Sequence, residues 1–465
     1  MTGEASFPAT ARVVDFIAGF DLGSASDVLL DRARSLLVDT FGVMIAAADD
    51  EVAEVAGALA PATQGPVTVI GRGGTGDAGF AAFYNGALAH ALEFDDSTLN
   101  PVGHPSCVIV PALFALAQRE GASGRAFLEA YLVGLEVHSR LGQAEAGGWS
   151  AGGFWLPIGH VSLLGAAAAC AKLLRLERRA VEHAIGLASH FCGALAVSNG
   201  SLAKPLGAGA AARSGVEAAL LARAHATGPQ QSIERPQGFA DVYLGHGHDL
   251  AGPLSKLGAP HHLEEVGVAI KRYPSCYATH WGVDALLLLV DEHRLAAADI
   301  AGIVLEHPES GAFCDNPTPA TPEEARFSHE YNLAVAVLDG VPGPRSYTPE
   351  RIAQADVTAM IRRVGTRNHP ADLAPPKAWE YRVTVTTTSG AAVSKAVPRP
   401  LGHPRHPMGA GDLEQKFAAC VEGRLGPPDA ERLLAALRAV ETLADLGAVT
   451  GALSQIRRAH AVEGR

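Results

Sequence analysis

The residues best suited to chemistry gather in four short segments, each polar where the surrounding chain is apolar. The first is His90-Ala-Leu-Glu93-Phe-Asp95-Asp96-Ser97-Thr98, followed by His104-Pro105-Ser106. Histidine titrates nearest neutral pH, so His104 is the first candidate for moving a proton, with Asp95, Asp96 or Glu93 to orient it or tune its protonation. Ser97 and Thr98 add hydroxyls beside these acids. The acidic run also suits a solvated helix end. An Asp-rich magnesium motif would need further carboxylates at helical spacing, and Leu99-Asn100-Pro101 supplies none.

The second segment runs from Gly152 through Trp155 to Gly159-His160. Its glycines allow the backbone to approach a ligand or another element, with His160 as a binding candidate. The third, Ser201-Leu-Ala-Lys204-Pro205-Leu206, places a lysine just before a predicted helix N-terminus. A cation there opposes the helix dipole and makes more sense if an anion also binds. The fourth is Lys271-Arg272-Tyr273-Pro274-Ser275-Cys276-Tyr277-Ala278-Thr279-His280. Cys276 and His280, four apart, could face each other on a helix, as a thiolate nucleophile or half a zinc site. No further ligands at suitable spacing complete such a set, so no metal is expected.

The elements that must carry these segments are mostly helical. Ser26 can cap a helix bearing Leu29, Ala33, Leu36, Leu37 and Phe41 on one stripe. A small-residue helix covers about Gly86 to Phe94, another runs from about Ser162 to Leu174, and Pro205 suits a helix's first turn. After about Gly267 the pattern changes. Ile303-Val304-Leu305 predicts a strand, and Tyr381, Val383 and Val385 alternate with polar residues as a half-buried strand does. Ser389-Gly390 offers a hairpin turn into 391–397. Helices are predicted near Tyr277–His293, Glu323–Leu338 and beyond Asp412. The expected fold is therefore mainly α: a large discontinuous all-helical domain, 1–267 and 401–465, with a smaller α+β domain inserted at 268–400.

Composition narrows the function. A chain of 465 residues with 48% hydrophobic and 18% charged content must bury a large interior and invites two domains. Net charge −12 gives no field that attracts nucleic acid or an anionic membrane. The six cysteines lie far apart in sequence and contain no CxxC pair, which reads as reduced and cytoplasmic. No signal peptide or membrane span is expected. Gly71 to Gly79 is glycine-rich but stands outside any βαβ pattern, and no GxGxxG, Walker A or GxSxG motif is present. A nucleotide cofactor is not expected.

In order and approximate spacing, these segments resemble the MmgE/PrpD family. The likeness extends through Ala325-Arg326-Phe327-Ser328 and Asp339-Gly340. That family includes 2-methylcitrate dehydratase, cis-aconitate decarboxylase and iminodisuccinate epimerase. The resemblance implies a homodimer, an α+β lid on the helical domain, no organic cofactor and a small di- or tricarboxylic substrate. It matches His104, Lys204 and Lys271 to residues that bind or act on substrate in the decarboxylase branch, and sets Ser97 or Thr98 near an active-site threonine. Glu93 and Cys276 stand where that branch has aspartate and histidine. Trp155 and Phe313 replace a histidine and a tyrosine.

The implied chemistry is proton abstraction α to a carboxylate, ending in loss of water, loss of CO₂ or epimerisation. Catalytic candidates are His104, Lys271, Asp95, Glu93 and Cys276. Substrate-binding candidates are Lys204, Arg272, Ser97, Thr98, Asp96, His160 and His280. A lyase leads, an epimerase follows, and a non-catalytic ligand-binding member is the reading from another class.

Overall fold

A computed structural model describes residues 7–60, 65–145, 155–369 and 380–456. Gly152, Gly153 and Phe154 of the glycine-rich segment lie outside those residues. The protein is mainly α-helical and divides into two compact units. Unit 1 comprises residues 1–91, 95–269 and 410–465; unit 2 comprises 92–94 and 270–409.

The longer helices of unit 1 are α1 (Ala9–Gly19), α2 (Asp27–Ala46), α3 (Ala78–Ala91), α4 (Ser106–Glu120), α5 (Gly124–Gln143), α6 (Val161–Leu173), α7 (Arg178–Phe191) and α8 (Ala203–Arg223). Ser26 caps α2 as expected, its side chain accepting from Leu29 N–H. α3 is buried on every side from Phe80 to Ala91, so it sits inside the unit and not on its surface. Small residues make that possible. A Cβ on Gly209 of α8 would lie 2.2 Å from the Phe83 carbonyl of α3. Between α5 and α6, a Cβ on Gly134 or on Gly165 would lie 2.7 Å from the other residue's carbonyl oxygen. The Gly71–Gly79 region forms a small antiparallel hairpin, β1 (Val67–Val69) with β2 (Gly74–Gly76). A second hairpin, β3 (Thr98–Leu99) with β4 (Val102–Gly103), leads into α4.

Unit 2 holds α9 (His280–His293), α10 (His329–Asp339) and a four-stranded sheet. Its strands are β5 (Ile300–His307), β6 (Val364–Asn368), β7 (Tyr381–Thr387) and β8 (Ala392–Val397), ordered β6-β5-β7-β8. β5 runs parallel to β6 and antiparallel to β7, which pairs antiparallel with β8. The alternation at 381–385 appears as the burial pattern it implied, with Tyr381, Val383 and Val385 inward. Val283, Leu286 and Leu289 of α9 and Leu333 of α10 complete that core. Gly390, at φ +86°, supplies the hairpin's left-handed residue.

Three local expectations fail. The helix expected through Phe94 ends at Ala91. The helix expected over Glu323–Leu338 is broken, because Ser328 turns extended and caps a new helix by accepting from Tyr331 N–H. Lys204 lies not before a helix but as the second residue of α8. The remaining long helices, α11 (Ala410–Val421) and α12 (Pro427–Arg438), return to unit 1.

Candidate active site

In unit 1 the end of α3 and the turn after it assemble a proton-handling group. His90 lies in the last turn of α3, and its Nδ1 lies 2.8 Å from Asp95 Oδ2. The same oxygen lies 3.4 Å from His104 Nδ1, and the two imidazole centroids are 4.8 Å apart. His104 Nδ1 also meets the Asp96 carbonyl at 3.0 Å. A carbonyl only accepts, so Nδ1 carries the hydrogen and Nε2 is left with the lone pair. Burial alone would raise the Asp95 carboxyl, but His90 and His104 hold it well below the usual carboxylate range.

The next residue behaves oppositely. Asp96 is pushed up to about 8, chiefly by burial, with the charges of Asp95 and Asp39 adding to it. Its oxygens meet Ser106 N–H at 3.2 Å and the Ser106 hydroxyl, which also meets Tyr131 OH at 2.6 Å. Asp96 thereby ties the loop to the start of α4. Far from forming a solvated helix end, Glu93, Asp95 and Asp96 are all buried.

Around this group, Thr98 Oγ1 lies 3.4 Å from His138 Nε2, and His138 Nδ1 lies 3.1 Å from Ser162 Oγ. Gly165 leaves room for His138, since a Cβ there would come within 3.1 Å of that residue's own Cβ. His138 was not a sequence candidate. A histidine inside an apolar helix gave no cue except the small residues opposite it. Burial lowers it to about 3, with His262, His160 and His104 adding to the effect. His160, also lowered to about 3 by burial, stacks on Tyr243, and its buried Nδ1 has no hydrogen-bond partner among the described residues. Lys204 is buried in the first turn of α8, and its charge reaches the Cys107 thiol. Ser97 exchanges backbone hydrogen bonds with Ala269, both 2.8 Å, which fixes the strand-like course of the loop.

Unit 2 assembles a second polar group. Lys271, fully buried, donates to the Glu93 carbonyl at 3.0 Å and to Glu93 Oε2 at 2.9 Å. Glu93 holds an unusual left-handed backbone, φ +49°, and pairs with Lys271 within unit 2. Arg272 meets Asp284 at 3.4 Å and lies over Tyr273, a structural engagement at the start of the segment. Cys276 and His280 do not share a helix face. Cys276 is extended (ψ 134°) and α9 starts only at His280, which packs between Tyr273 and Tyr277. The neighbour of Cys276 is instead Cys314. A hydrogen bond from Cys314 lowers the Cys276 thiol against the effect of burial, while burial and Cys276 raise Cys314. Both remain thiols, with no disulfide between them. Phe313 is half exposed.

Two sets of side chains have metal-ligand spacing among the described residues: His90, Asp95 and Cys107, and His307, Asp315 and His329. Sequence spacing had suggested no third ligand for any metal. The first set is part of the proton-handling group, and its Cys107 thiol is raised well above its ordinary value, first by burial and then by Asp95 and Asp96. That opposes the thiolate a soft metal site needs.

A helical unit split along the chain, an α+β unit and a buried Asp–His array define the class. The chain belongs to the MmgE/PrpD family: the MmgE/PrpD N-terminal domain matches residues 11–250 and the C-terminal domain residues 273–442. It is similar to cis-aconitate decarboxylase of Homo sapiens, 30% identical over 446 residues, covering 93% of this chain and 92% of that protein. The Mus musculus cis-aconitate decarboxylase is 29% identical, with 95% and 92% covered. That of Aspergillus terreus is 26% identical over 81% of this chain and 82% of its own.

Proposed function

We propose that the chain is a cofactor-independent lyase acting on a small di- or tricarboxylic acid, with decarboxylation ahead of dehydration. One observation carries the reading: a buried Asp95 whose Oδ2 faces two imidazoles, of which His104 turns Nδ1 to the Asp96 carbonyl and so keeps its Nε2 lone pair in the neutral ring. An acid so placed holds the ring's tautomer and stabilises positive charge on it during proton transfer. The names of the decarboxylase relatives support the choice of carboxy-lyase.

In the decarboxylase route the C–C bond to the departing carboxylate breaks and CO₂ leaves. The electron pair stays on the substrate carbon, spread into a neighbouring carboxylate; His104 Nε2, having first taken a proton from water, delivers it to that carbon and returns to the neutral ring. In the dehydratase route His104 takes the α-proton, the electron pair forms the double bond, the β-hydroxyl takes a proton from solvent and leaves as water, and His104 returns its proton to solvent. Lys204 and Lys271 are the cations proposed to hold substrate carboxylates and offset the developing charge. Thr98, Ser97, His160, Cys276 and His280 are proposed to shape substrate binding.

The test is a turnover screen of small di- and tricarboxylic acids by mass spectrometry. The proposal expects a product lighter by CO₂ or by water. Turnover with unchanged mass would mean epimerisation, and binding without turnover would mean a non-catalytic member; either overturns it. A homodimer belongs to the same proposal, and light scattering that finds only monomer at micromolar concentration would contradict it.

A further inference from the structure

In unit 2, the end of β5, the segment that follows it and the first turn of α10 bring two buried histidines and one carboxylate together. One ligand atom each from His307, Asp315 and His329 lies within 4.8 Å of the other two. The imidazoles are stacked with centroids 4.9 Å apart.

Backbone carbonyls decide which nitrogens carry hydrogens. His307 Nδ1 lies 2.9 Å from the Pro308 carbonyl, and His329 Nε2 lies 3.1 Å from the Gly311 carbonyl. Carbonyls only accept, so these nitrogens donate, and the lone pairs of the neutral rings fall on His307 Nε2 and His329 Nδ1. Such a bond from the far ring nitrogen is the usual support of a metal-binding histidine. In the neutral ring, His307 Nε2 would face Asp315 Oδ1 at 3.1 Å with a lone pair on each atom. Something positive must lie between them. A proton would serve this pair alone, whereas a divalent cation also uses the second imidazole.

The surroundings are built to hold that geometry. Gly311 must be glycine: a Cβ would lie 2.7 Å from Tyr381 OH and 3.2 Å from His307 Nδ1. On the other side, Asn316 N–H donates to Glu330 at 3.0 Å and the Ser328 hydroxyl donates to the Asn316 carbonyl at 2.6 Å. The residues flanking Asp315 and His329 are thus fastened to each other before any ion arrives. The histidines are buried while the Asp315 side chain is 31% exposed, which gives an ion a route from solvent and leaves room for water as a further ligand.

We propose that His307, Asp315 and His329 form a site for a divalent transition-metal ion of the zinc type, clamping the 308–316 segment to the start of α10. Two imidazoles and one carboxylate suit zinc, with water in the remaining position. The clamped segment carries Cys314, the hydrogen-bond partner of Cys276. The ion's role is structural, so it is separate from the lyase reading and stands if that reading fails.

The experiment uses the full chain stripped with chelator and then titrated with Zn²⁺ alone, followed by equilibrium dialysis with metal analysis and by thermal melting. Wild type should take up one equivalent and melt at higher temperature with zinc, because a ligand bound only by the folded state stabilises it. Asp315→Asn keeps the side chain's shape at a half-exposed position; it should weaken uptake at least about tenfold and lose the thermal shift. Cys107→Ser should bind like wild type, which separates this site from the His90–Asp95–Cys107 group. Cobalt(II) at the site should show no thiolate charge-transfer band. No uptake by wild type, uptake untouched by Asp315→Asn, or uptake abolished by Cys107→Ser would each overturn the proposal. In the first case His307 and Asp315 would share only a proton.

Discussion

At His90–Asp95–His104 one buried carboxylate serves two imidazoles, whereas at Glu93–Lys271 one buried carboxylate is paired with a buried lysine. The two carboxylates are two residues apart in sequence, yet Glu93 belongs to unit 2 and Asp95 to unit 1. Imidazoles gain and lose protons near neutrality, so charge in the first group can change during a reaction at modest cost. A buried lysine–glutamate pair is costly to alter, because removing either charge strands the other. The first arrangement therefore suits proton transfer and the second suits a fixed charge that orients a substrate. Asp96 sharpens the contrast, since burial prevails there and raises its pKa, whereas the two imidazoles overcome burial at Asp95.

Breaking the first group should have the larger effect. His104→Ala should cut kcat by about 10²–10⁴-fold if it carries the proton. Asp95→Asn, which keeps the shape but removes the charge shared by both rings, should cost a similar order. Near-normal kcat in both variants would end the distinction between the two regions.

The two lysines should respond with a smaller kinetic loss, and Lys271 with a stability loss as well. If Lys204 and Lys271 hold substrate carboxylates as proposed, Lys204→Met and Lys271→Met should each lose one charge-assisted contact, about 1.5–3 kcal/mol, or roughly ten- to a hundred-fold in kcat/KM. Lys271→Met alone also strands Glu93, at a cost of about 3–5 kcal/mol in folding stability. Adding Glu93→Gln should recover stability without recovering turnover. If both lysine variants turn over normally, the lysines are structural.

The smallest effect separates Asp96 from Asp95 by pH. Asp96 rises from its ordinary 3.8 to about 8, so between those values the folded protein holds a proton that the unfolded chain has released. Its contribution to stability therefore declines as pH rises through that window. An asparagine in its place can donate its amide to the Ser106 hydroxyl and accept from Ser106 N–H without titrating. The Asp96→Asn variant should gain on wild type in urea unfolding at pH 8 relative to pH 5. Asp95, shifted downward, contributes its stability in full above its ordinary value of 3.8 and loses it only as pH falls below that value. A constant gap between Asp96→Asn and wild type across pH would contradict the assignment.

Periodicity and caps made much of the secondary structure legible: Ser26 beneath α2, the alternation in β7 and the hairpin at Gly390 all formed where their physical causes placed them. The break at Ser328 was harder to read, because a serine inside an apolar pattern fits both a helix interior and a cap. Within the candidate site, residues close in sequence were legible as a cluster, but their partners were not. Nothing in the sequence shows that Glu93 turns left-handed toward Lys271 while Asp95 turns to the imidazoles. His138, the Cys276–Cys314 contact and the His307–Asp315–His329 group depend on tertiary packing across long separations, which local pattern does not encode.

The most direct test of the central claim, that His104 exchanges a proton with substrate carbon, is turnover in D₂O with the product's label located by NMR. For decarboxylation, the account predicts one deuteron at the carbon that lost CO₂; for dehydration, it predicts deuterium exchanged into recovered substrate at the α-carbon. His104→Ala should suppress both label and turnover together. Wild-type turnover with protium alone at that carbon, combined with unimpaired His104→Ala, would contradict it.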